Sequence, residues 1–301
     1  MRSILIGSVG SSKVLLEEMI KVNFPIDMVY SLDEKYSLNV SGYEPIHELA
    51  EANNIPYRKF RKINDEEHVN EIKNINPDYI FVIGLSQLVK REIIDSAKKG
   101  VIGFHPTPLP KYRGRAALVW QILLGVTESE CSLFFIDEGM DSGDIIGQEK
   151  YTITEEDYVI DVIYKSREAL KTLSRRVLPK IKDGSIKPMR QNEEEATYLL
   201  KRTPEDGVIN WNEPISNIYR LIRATSKPFP GAFSYYDGKI KTIFWKAECI
   251  ENTKYIGIPG QIANISNEFI DIVCVDGLLR VHHLETNEDV KFIIGHKFNK
   301  S

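Results

Sequence analysis

The stretch Asp78–Leu85, which reads DYIFVIGL, is the most apolar of the strand-like segments in the first 105 residues. A continuous apolar run of this length is typical of a strand buried on both faces of a parallel sheet. Shorter apolar runs precede it at Ser3–Ile6 and Ile26–Tyr30 and follow it at Val101–Phe104, with helical patterns between them. Strands that alternate with helices predict an α/β domain whose parallel sheet is covered by helices on both faces.

The hydrophobic pattern changes after a long predicted helix that ends at Asp183-Gly184. Residues 185–204 are polar and have the composition of a connector. Strand-like segments follow, with turn signals at Asp237-Gly238 and Asp276-Gly277. We therefore predict an α/β domain at residues 1–184, a connector at 185–204 and a small antiparallel β domain, either a sandwich or a barrel, at 205–301.

Composition excludes several classes of protein. The chain of 301 residues has 39 Lys and Arg against 43 Asp and Glu, so its net charge of −4 creates no overall attraction to nucleic-acid phosphates. Its cysteines, Cys131, Cys249 and Cys274, lie far apart, which argues against a disulfide framework and a thiolate metal site. The apolar run at the start is too short for a signal peptide or a membrane span. We expect a cytoplasmic protein without a metal, a membrane partner or a nucleic-acid partner.

The segment Gly103–Ala116, GFHPTPLPKYRGRA, is the first candidate for a functional site. His105 follows a predicted buried strand, at the end where open α/β sheets bind ligands. Three prolines then hold the chain extended, and the cations Lys111, Arg113 and Arg115 follow them. A fixed histidine beside a cationic loop suits an anionic substrate. A core histidine in a proline-rich connection is the alternative interpretation.

Two further segments carry candidate chemistry. Ile136–Asp144, IDEGMDSGD, comes after an apolar strand, and a carboxylate there can take a proton if it lies near His105. Taken singly, such a string is more commonly an acidic turn. The loop Gly7–Ser12, GSVGSS, connects a strand to a helix, where backbone amides can hold an anion; an ordinary tight turn is the alternative.

Taken together, HPTPLPKYRGRA and MDSGD resemble the formyltransferase family that uses N10-formyltetrahydrofolate. The likeness continues through Arg202–Trp211 and Pro228–Phe233, so that it covers nearly the whole chain. Members of this family act on methionyl-tRNA, glycinamide ribonucleotide or amino sugars, and one branch hydrolyses the cofactor. The resemblance implies a Rossmann-like catalytic domain, a smaller OB-like barrel after it, and N10-formyltetrahydrofolate as the cofactor.

The resemblance also implies roles for individual residues. His105 and Asp141 correspond to the catalytic histidine and aspartate, whereas Gly103 stands where the family has an asparagine that helps to bind the formyl oxygen. Cofactor binding is implied for Ser86, Gln87 and Val89 and for Ile136, Asp137 and Glu138. Substrate binding is predicted for the first loop and the cationic segment, namely Gly7, Ser8, Gly10, Ser11, Lys111, Arg113 and Arg115.

Within the family, charge favours a small substrate over tRNA. The tRNA enzymes carry a basic insertion after the second strand, but Ser31–Ser37 is short and mildly acidic here. Residues 205–301 hold 11 Lys and Arg against 12 Asp and Glu, which leaves no surplus of cations for an RNA backbone. The KYRGRA segment resembles that of the nucleotide-sugar enzymes, and arginine matches a pyrophosphate with two parallel hydrogen bonds.

These arguments predict an N-formyltransferase acting on the amino group of a nucleotide-linked amino-deoxy sugar, as in the synthesis of bacterial surface glycans. Family members of the sugar type are often dimers, and the sequence is compatible with a homodimer but leaves the oligomeric state open. A methionyl-tRNA formyltransferase is the alternative within the family. A formyltetrahydrofolate hydrolase-like or folate-binding protein is the alternative from another class, and Gly103 is the residue that favours it.

Overall fold

A computed structural model of the chain describes residues 1–85, 87–252 and 254–299. The chain forms two compact units. The first contains Met1–Ala117, Glu128–Thr152 and Tyr164–Leu200, and the second contains Leu118–Thr127, Ile153–Ile163 and the chain from Lys201 on. Most of the polar stretch that we predicted as a connector, residues 185–200, therefore packs within the first unit.

The first unit is built on a sheet of seven strands in the order β3-β2-β1-β4-β5-β7-β8. The first five are parallel, in the order of Rossmann-like folds, and β7 and β8 add an antiparallel edge. The α/β prediction and its mostly parallel sheet are confirmed. The strands are β1 (Ser3–Gly7), β2 (Met28–Leu32), β3 (Tyr57–Phe60), β4 (Tyr79–Ile83), β5 (Gly100–His105), β7 (Glu128–Phe135) and β8 (Ile145–Thr152).

The central strands form because apolar side chains on both of their faces are covered. All five residues of β1 are buried, and an apolar cluster around Ile4, Ile80 and Val101 fills one side of the sheet. The helices of this unit are α1 (Gly10–Lys21), α2 (Ile46–Ala52), α3 (Glu66–Ile75), α4 (Arg91–Ile94) and most of α6 (Val159–Asp183), whereas α5 (Ala117–Leu123) belongs to the second unit from Leu118 on. Two short strands, β6 (Arg113–Gly114) and β9 (Tyr198–Leu199), pair in parallel apart from the main sheet.

An ion pair between a buried glutamate and a partly exposed arginine joins α1 to α6. The Glu18 carboxylate, which has no exposed side-chain surface, accepts hydrogen bonds from Arg175 Nε at 2.7 Å and from Arg175 Nη2 at 3.1 Å. Lys21 adds a third at 2.8 Å. The Arg175 guanidinium and the Lys21 ammonium outweigh the effect of burial, so the pKa of Glu18 is lowered from its ordinary value.

The second unit has a six-stranded antiparallel sheet in the order β12-β13-β14-β11-β10-β15, together with helix α7 (Ile215–Thr225). Its core is aromatic, with Trp211 beside Phe244 and Phe298. The described residues of this unit form one sheet and not two facing ones, which disfavours a sandwich; the antiparallel β prediction is confirmed. The strands are β10 (Ala232–Tyr236), β11 (Ile240–Ile250), β12 (Ile262–Ile265), β13 (Ile270–Val273), β14 (Leu278–Thr286) and β15 (Phe298–Asn299).

Among the described residues, each helix is too short or too polar to cross a membrane.

Candidate active site

His105 is the last residue of β5, at the carboxyl edge of the parallel strands. The proline-rich chain after it is held by side chains of neighbouring strands. The Ser132 hydroxyl on β7 donates to the Thr107 carbonyl at 2.7 Å, and the Tyr151 hydroxyl on β8 donates to the Pro106 carbonyl at 2.8 Å. The sheet therefore fixes the path of the turn that leaves the histidine.

The imidazole of His105 has a defined orientation. Its side chain is 8% exposed, and its Nε2 lies 2.8 Å from the carbonyl oxygen of Tyr112. A carbonyl oxygen only accepts hydrogen bonds, so Nε2 carries a hydrogen and donates it. The other ring nitrogen, Nδ1, faces the Asp141 carboxylate, 3.8 Å from Oδ2. The nitrogen that is free to exchange a proton or to bind a ligand is therefore Nδ1.

Asp141 lies in the loop after β7 with a left-handed backbone, at φ +51°. Its Oδ2 accepts a hydrogen bond from the Gly114 N–H at 2.8 Å. The Gln191 side chain donates to the Asp141 carbonyl at 2.8 Å and to the Gly143 carbonyl at 2.7 Å. Three separate segments of the first unit thus meet at Asp141, one of them at its carboxylate and another at its backbone carbonyl.

His105 and Asp141 lie on the wall of a cavity of about 1000 Å³ in the first unit. This volume is at the upper end of the range for sites that bind small molecules. The rest of the wall combines apolar side chains with charged ones. It includes Val82, Leu85, Gln87, Leu88, Val89, Lys90, Arg91, Glu92, Ile94, Asp95, Phe104, Gly114, Arg115, Phe134, Ile136, Asp137, Glu138 and Met140, together with glycines at 84, 103 and 139.

Comparison with known proteins gives this cavity its context. The family profile described as formyl transferase matches residues 28–178, and the profile described as formyl transferase, C-terminal domain, matches residues 201–296. This chain belongs to the formyl transferase family. The matches cover the strands and loops that form the cavity and most of the second unit.

Solved structures agree with the fold. HypX from Aquifex aeolicus, in complex with tetrahydrofolic acid, is 19% identical over 96% of this chain at a TM-score of 0.70, and the match spans 44% of the HypX chain. An N-formyltransferase from Helicobacter canadensis, in complex with folinic acid and dTDP-3-aminofucose, is 21% identical over 94% of this chain and 99% of its own, at 0.66. A methionyl-tRNA formyltransferase from Clostridium thermocellum is 22% identical over 92% of this chain and 100% of its own, at 0.59.

Most of the residues that we predicted to bind the cofactor line the cavity of this formyl transferase family member. Gln87, Val89, Ile136, Asp137 and Glu138 all belong to its wall, and Ser86 lies outside the described residues. The amide of Gln87 is bonded to the backbone of residues 61 and 63. Glu138 pairs with Arg91 at 2.7 Å. Their roles in binding stay predictions.

The residues that we predicted to bind the substrate are more dispersed. Arg115 is exposed on the cavity wall, and its guanidinium makes no hydrogen bond to the residues that the structure describes. Lys111 is exposed but does not belong to the lining residues. Gly7, Ser8, Gly10 and Ser11 are buried at the start of α1 and are likewise absent from the wall.

Arg113 occupies a different environment from the predicted one. It is 1% exposed, and all of its guanidinium nitrogens donate to protein groups. Nε and Nη2 donate to Gln191 at 3.1 and 2.8 Å, Nη1 and Nη2 donate to Glu193 at 2.8 and 2.7 Å, and Nη1 also donates to the Tyr198 hydroxyl at 3.1 Å. Of the three cations in the segment, Arg115 is the one that faces the cavity.

Sequence reasoning missed one contributor to the site, Gln191, whereas Leu88 and Met140 belong to the two stretches that the resemblance placed beside the folate. Leu88 and Met140 line the cavity, and their side chains are 84% and 56% exposed. The exposure of such large apolar side chains can be determined only from the structure. Gln191 was assigned to a connector. No local pattern marks it, because its contact with Asp141 joins residues that are 50 positions apart.

The structure also shows what surrounds Gly103. A Cβ at this position would lie 3.0 Å from two ring carbons of Phe134 and 3.0 Å from Cγ1 of Ile136. Phe134 is the antiparallel partner of Gly103 across β5 and β7. An apolar ledge of Phe134 and Ile136 therefore occupies the space beside Gly103, and both of its side chains belong to the cavity wall.

Proposed function

We propose that this chain transfers a formyl group from N10-formyltetrahydrofolate to the amino group of a nucleotide-linked amino sugar. The observation that carries the proposal is the meeting of His105 Nδ1, the Asp141 carboxylate and Arg115 on one cavity wall. Formylation of an amine on an anionic substrate requires groups that accept and donate protons, here His105 and Asp141. It also requires a cation that is free to bind the substrate, here Arg115.

The cavity fits a folate in size and in lining. Its volume exceeds the need of one small ligand, and the exposed apolar side chains of Leu88 and Met140 offer surface to a flat ring. Residues Gln87–Val89 and Ile136–Glu138 would hold the folate between them. When bound, N10-formyltetrahydrofolate supplies an activated formyl group.

The protein's own groups supply proton transfer and charge stabilisation. Because the Tyr112 carbonyl holds the hydrogen on Nε2, His105 acts through Nδ1. A protonated Nδ1 donates to a carbonyl oxygen on which negative charge develops, and such a donor placed in advance is a large source of catalysis. The Asp141 carboxylate attracts that imidazolium and would accept the proton that the amine loses as its nitrogen bonds to the formyl carbon, directly or through water. The same proton would return to the N10 nitrogen of the tetrahydrofolate when its bond to the formyl carbon breaks.

Charge supports a nucleotide sugar over tRNA as the acceptor. The second unit carries no excess of cations over residues 205–301, and Arg115 lies where it can bind a phosphate. The likeness to the Helicobacter canadensis enzyme, whose structure contains dTDP-3-aminofucose, agrees with this choice. The ledge beside Gly103 favours a second candidate, hydrolysis of the formyl donor, because it offers no hydrogen-bond donor.

Release of tetrahydrofolate tests the proposal. Purified protein is supplied with the formyl donor and, in parallel, with a panel of nucleotide amino sugars, with initiator methionyl-tRNA, or with water alone. We expect release that depends on one of the sugars, and a formylated sugar in equal amount by mass spectrometry. Release with tRNA only would assign the chain to the tRNA branch, and equal release with water alone would contradict a transferase.

A further inference from the structure

The side chains of the proposed catalytic pair, His105 and Asp141, form no hydrogen bond with each other. His105 ends β5, Asp141 follows β7, and the 3.8 Å between Nδ1 and Oδ2 is longer than a hydrogen bond. Their separation therefore depends on whatever holds the two loops. A third segment, residues 191–199, contacts both of them.

Gln191 holds the loop of Asp141. Its side chain is 5% exposed and forms four hydrogen bonds, the full capacity of an amide. Both amide hydrogens go to backbone carbonyls on either side of Ser142, those of Asp141 and Gly143. Its Oε1 accepts two hydrogen bonds from Arg113. The amide is thus locked in one orientation, with its donors directed at the turn.

Arg113 anchors Gln191 to the loop on the other side. A bidentate contact with Glu193 holds the guanidinium, and this contact lowers the pKa of the Glu193 carboxyl. The Arg113 N–H donates to the Thr197 carbonyl at 2.9 Å, where β6 pairs with β9. Arg113 is directly followed by Gly114, whose N–H donates to Asp141 Oδ2. Backbone and carboxylate of Asp141 are therefore fixed from two directions.

Thr197 holds the loop of His105. Its hydroxyl accepts a hydrogen bond from the Tyr112 N–H at 2.8 Å. Tyr112 has a left-handed backbone at φ +63°, a conformation that side-chain-bearing residues keep only when their surroundings enforce it. The carbonyl of the same residue accepts from His105 Nε2. One segment thus reaches both members of the pair.

We propose that Gln191 is a positioning residue for the reaction, which sets the Asp141 carboxylate against His105 Nδ1 and the Gly114 N–H. This role rests on the proposed function for its catalytic consequence, but the positioning itself is a property of the protein alone. Gln191 does not belong to the lining of the cavity, so its effect passes through Asp141 and not through contact with a ligand.

Three variants test this role. Gln191→Leu removes every hydrogen bond of the amide, whereas Gln191→Glu keeps an acceptor for Arg113 and loses both donors to the turn. Gln261→Leu is the matched control, because Gln261 in the second unit also bonds two loops, accepting from the Ile258 N–H and donating to the Gly295 carbonyl. Thermal melting shows whether each variant is folded.

Hydrogen exchange tests the positioning without any ligand. If Gln191 fixes Asp141, the Gly114 amide loses its acceptor in both Gln191 variants, and we expect its exchange to become at least about tenfold faster at neutral pH. Exchange at Gly114 should be unchanged in Gln261→Leu. Unchanged exchange at Gly114 in a folded Gln191→Glu would overturn the proposal, whatever reaction the protein performs.

A double-mutant cycle tests the catalytic consequence. We expect each Gln191 variant to lower kcat by roughly tenfold to a hundredfold, as small misplacements of catalytic groups do, with each KM within about threefold. In the Asp141→Asn background the same substitutions should change kcat by less than about threefold, because their effect acts through the carboxylate. Equal fold-losses in both backgrounds would overturn the role, whereas a wild type without formyl transfer would contradict only the proposed function.

Discussion

The two walls of the cavity are held in different ways. The wall that we propose is catalytic is formed by the segment 105–115 through His105, Gly114 and Arg115. In this segment His105 and Arg113 are buried, and each polar group of their side chains has a partner in the protein, apart from the Nδ1 that faces Asp141. On the wall that we propose binds the folate, residues 87–91 and 136–140, Leu88 and Met140 are exposed, and an exposed Arg91–Glu138 ion pair joins the two loops. Proton transfer needs fixed geometry, whereas the entry of a ligand needs accessible apolar surface.

We expect the largest effect on kcat from a substitution in the proposed catalytic wall. His105→Ala removes the only imidazole of the cavity lining, and we expect kcat to fall by roughly two to three orders of magnitude, as the loss of one oxyanion donor does. The variant should keep the circular dichroism of the wild type. Turnover near the wild-type rate would contradict the mechanism and remove the distinction between the walls.

Asp141→Asn should be nearly as damaging, with kcat lower by roughly a hundredfold. The amide keeps the shape of the side chain but loses the charge beside His105 and the acceptor for the amine proton. Asp144→Asn is the matched control, because Asp144 is an exposed acid in the same loop and is not part of the cavity wall. A larger loss from Asp144→Asn would transfer the proton-accepting role to that residue.

Arg115→Ala should act on binding more than on chemistry. Loss of a charged hydrogen-bond donor costs about 1.5–3 kcal/mol, so the KM for the nucleotide sugar should rise by about tenfold or more. The KM for the formyl donor should change by less than about twofold. Lys111→Ala, at a cation outside the wall, should alter neither value in the same two-substrate kinetics. A larger rise in the KM for the nucleotide sugar in Lys111→Ala than in Arg115→Ala would show that the phosphate of the nucleotide sugar does not bind at Arg115.

The smallest effect on activity is expected at the ledge. Gly103→Asn forces a side chain against Phe134 and Ile136, and overpacking of this kind lowers the free energy of unfolding by about 1–3 kcal/mol. We expect a lower melting temperature and no gain in kcat. A variant that melts like the wild type and transfers the formyl group faster would contradict this expectation. It would show that Phe134 and Ile136 move to make room and that the wild-type site lacks a useful carboxamide.

The sequence predicted the central strands because burial on both faces leaves a direct record in apolar runs. Asp78–Leu85 contains β4 (Tyr79–Ile83), and Val101–Phe104 lies within β5 (Gly100–His105). Helix α4 covers only Arg91–Ile94, although the helical pattern of the sequence extends from about Val89 to Ala97. Short polar helices carry a weak periodic signal, so their ends depend on the tertiary contacts.

The histidine, the prolines and the acidic loop could be recognised from the chain alone, because each lies next to a strand whose burial the local pattern reveals. The resemblance of their motifs to one family agrees with the profiles that match the chain. The role of Arg113 could not be recognised, since a cation in a cationic loop looks the same whether it faces a ligand or a buried glutamine. Its bonds to Gln191 span 78 positions.

The sequence by itself determined the α/β architecture, the antiparallel second unit and the candidate pair of His105 and Asp141, because these depend on local apolar patterns and short motifs. Only the tertiary structure decided which cation faces the cavity, what stands beside Gly103, and that Gln191 holds the catalytic loop. Those features arise where segments distant in the chain pack against each other. Hydrogen bonds between such segments depend on the packing of the whole unit, and no local pattern records them.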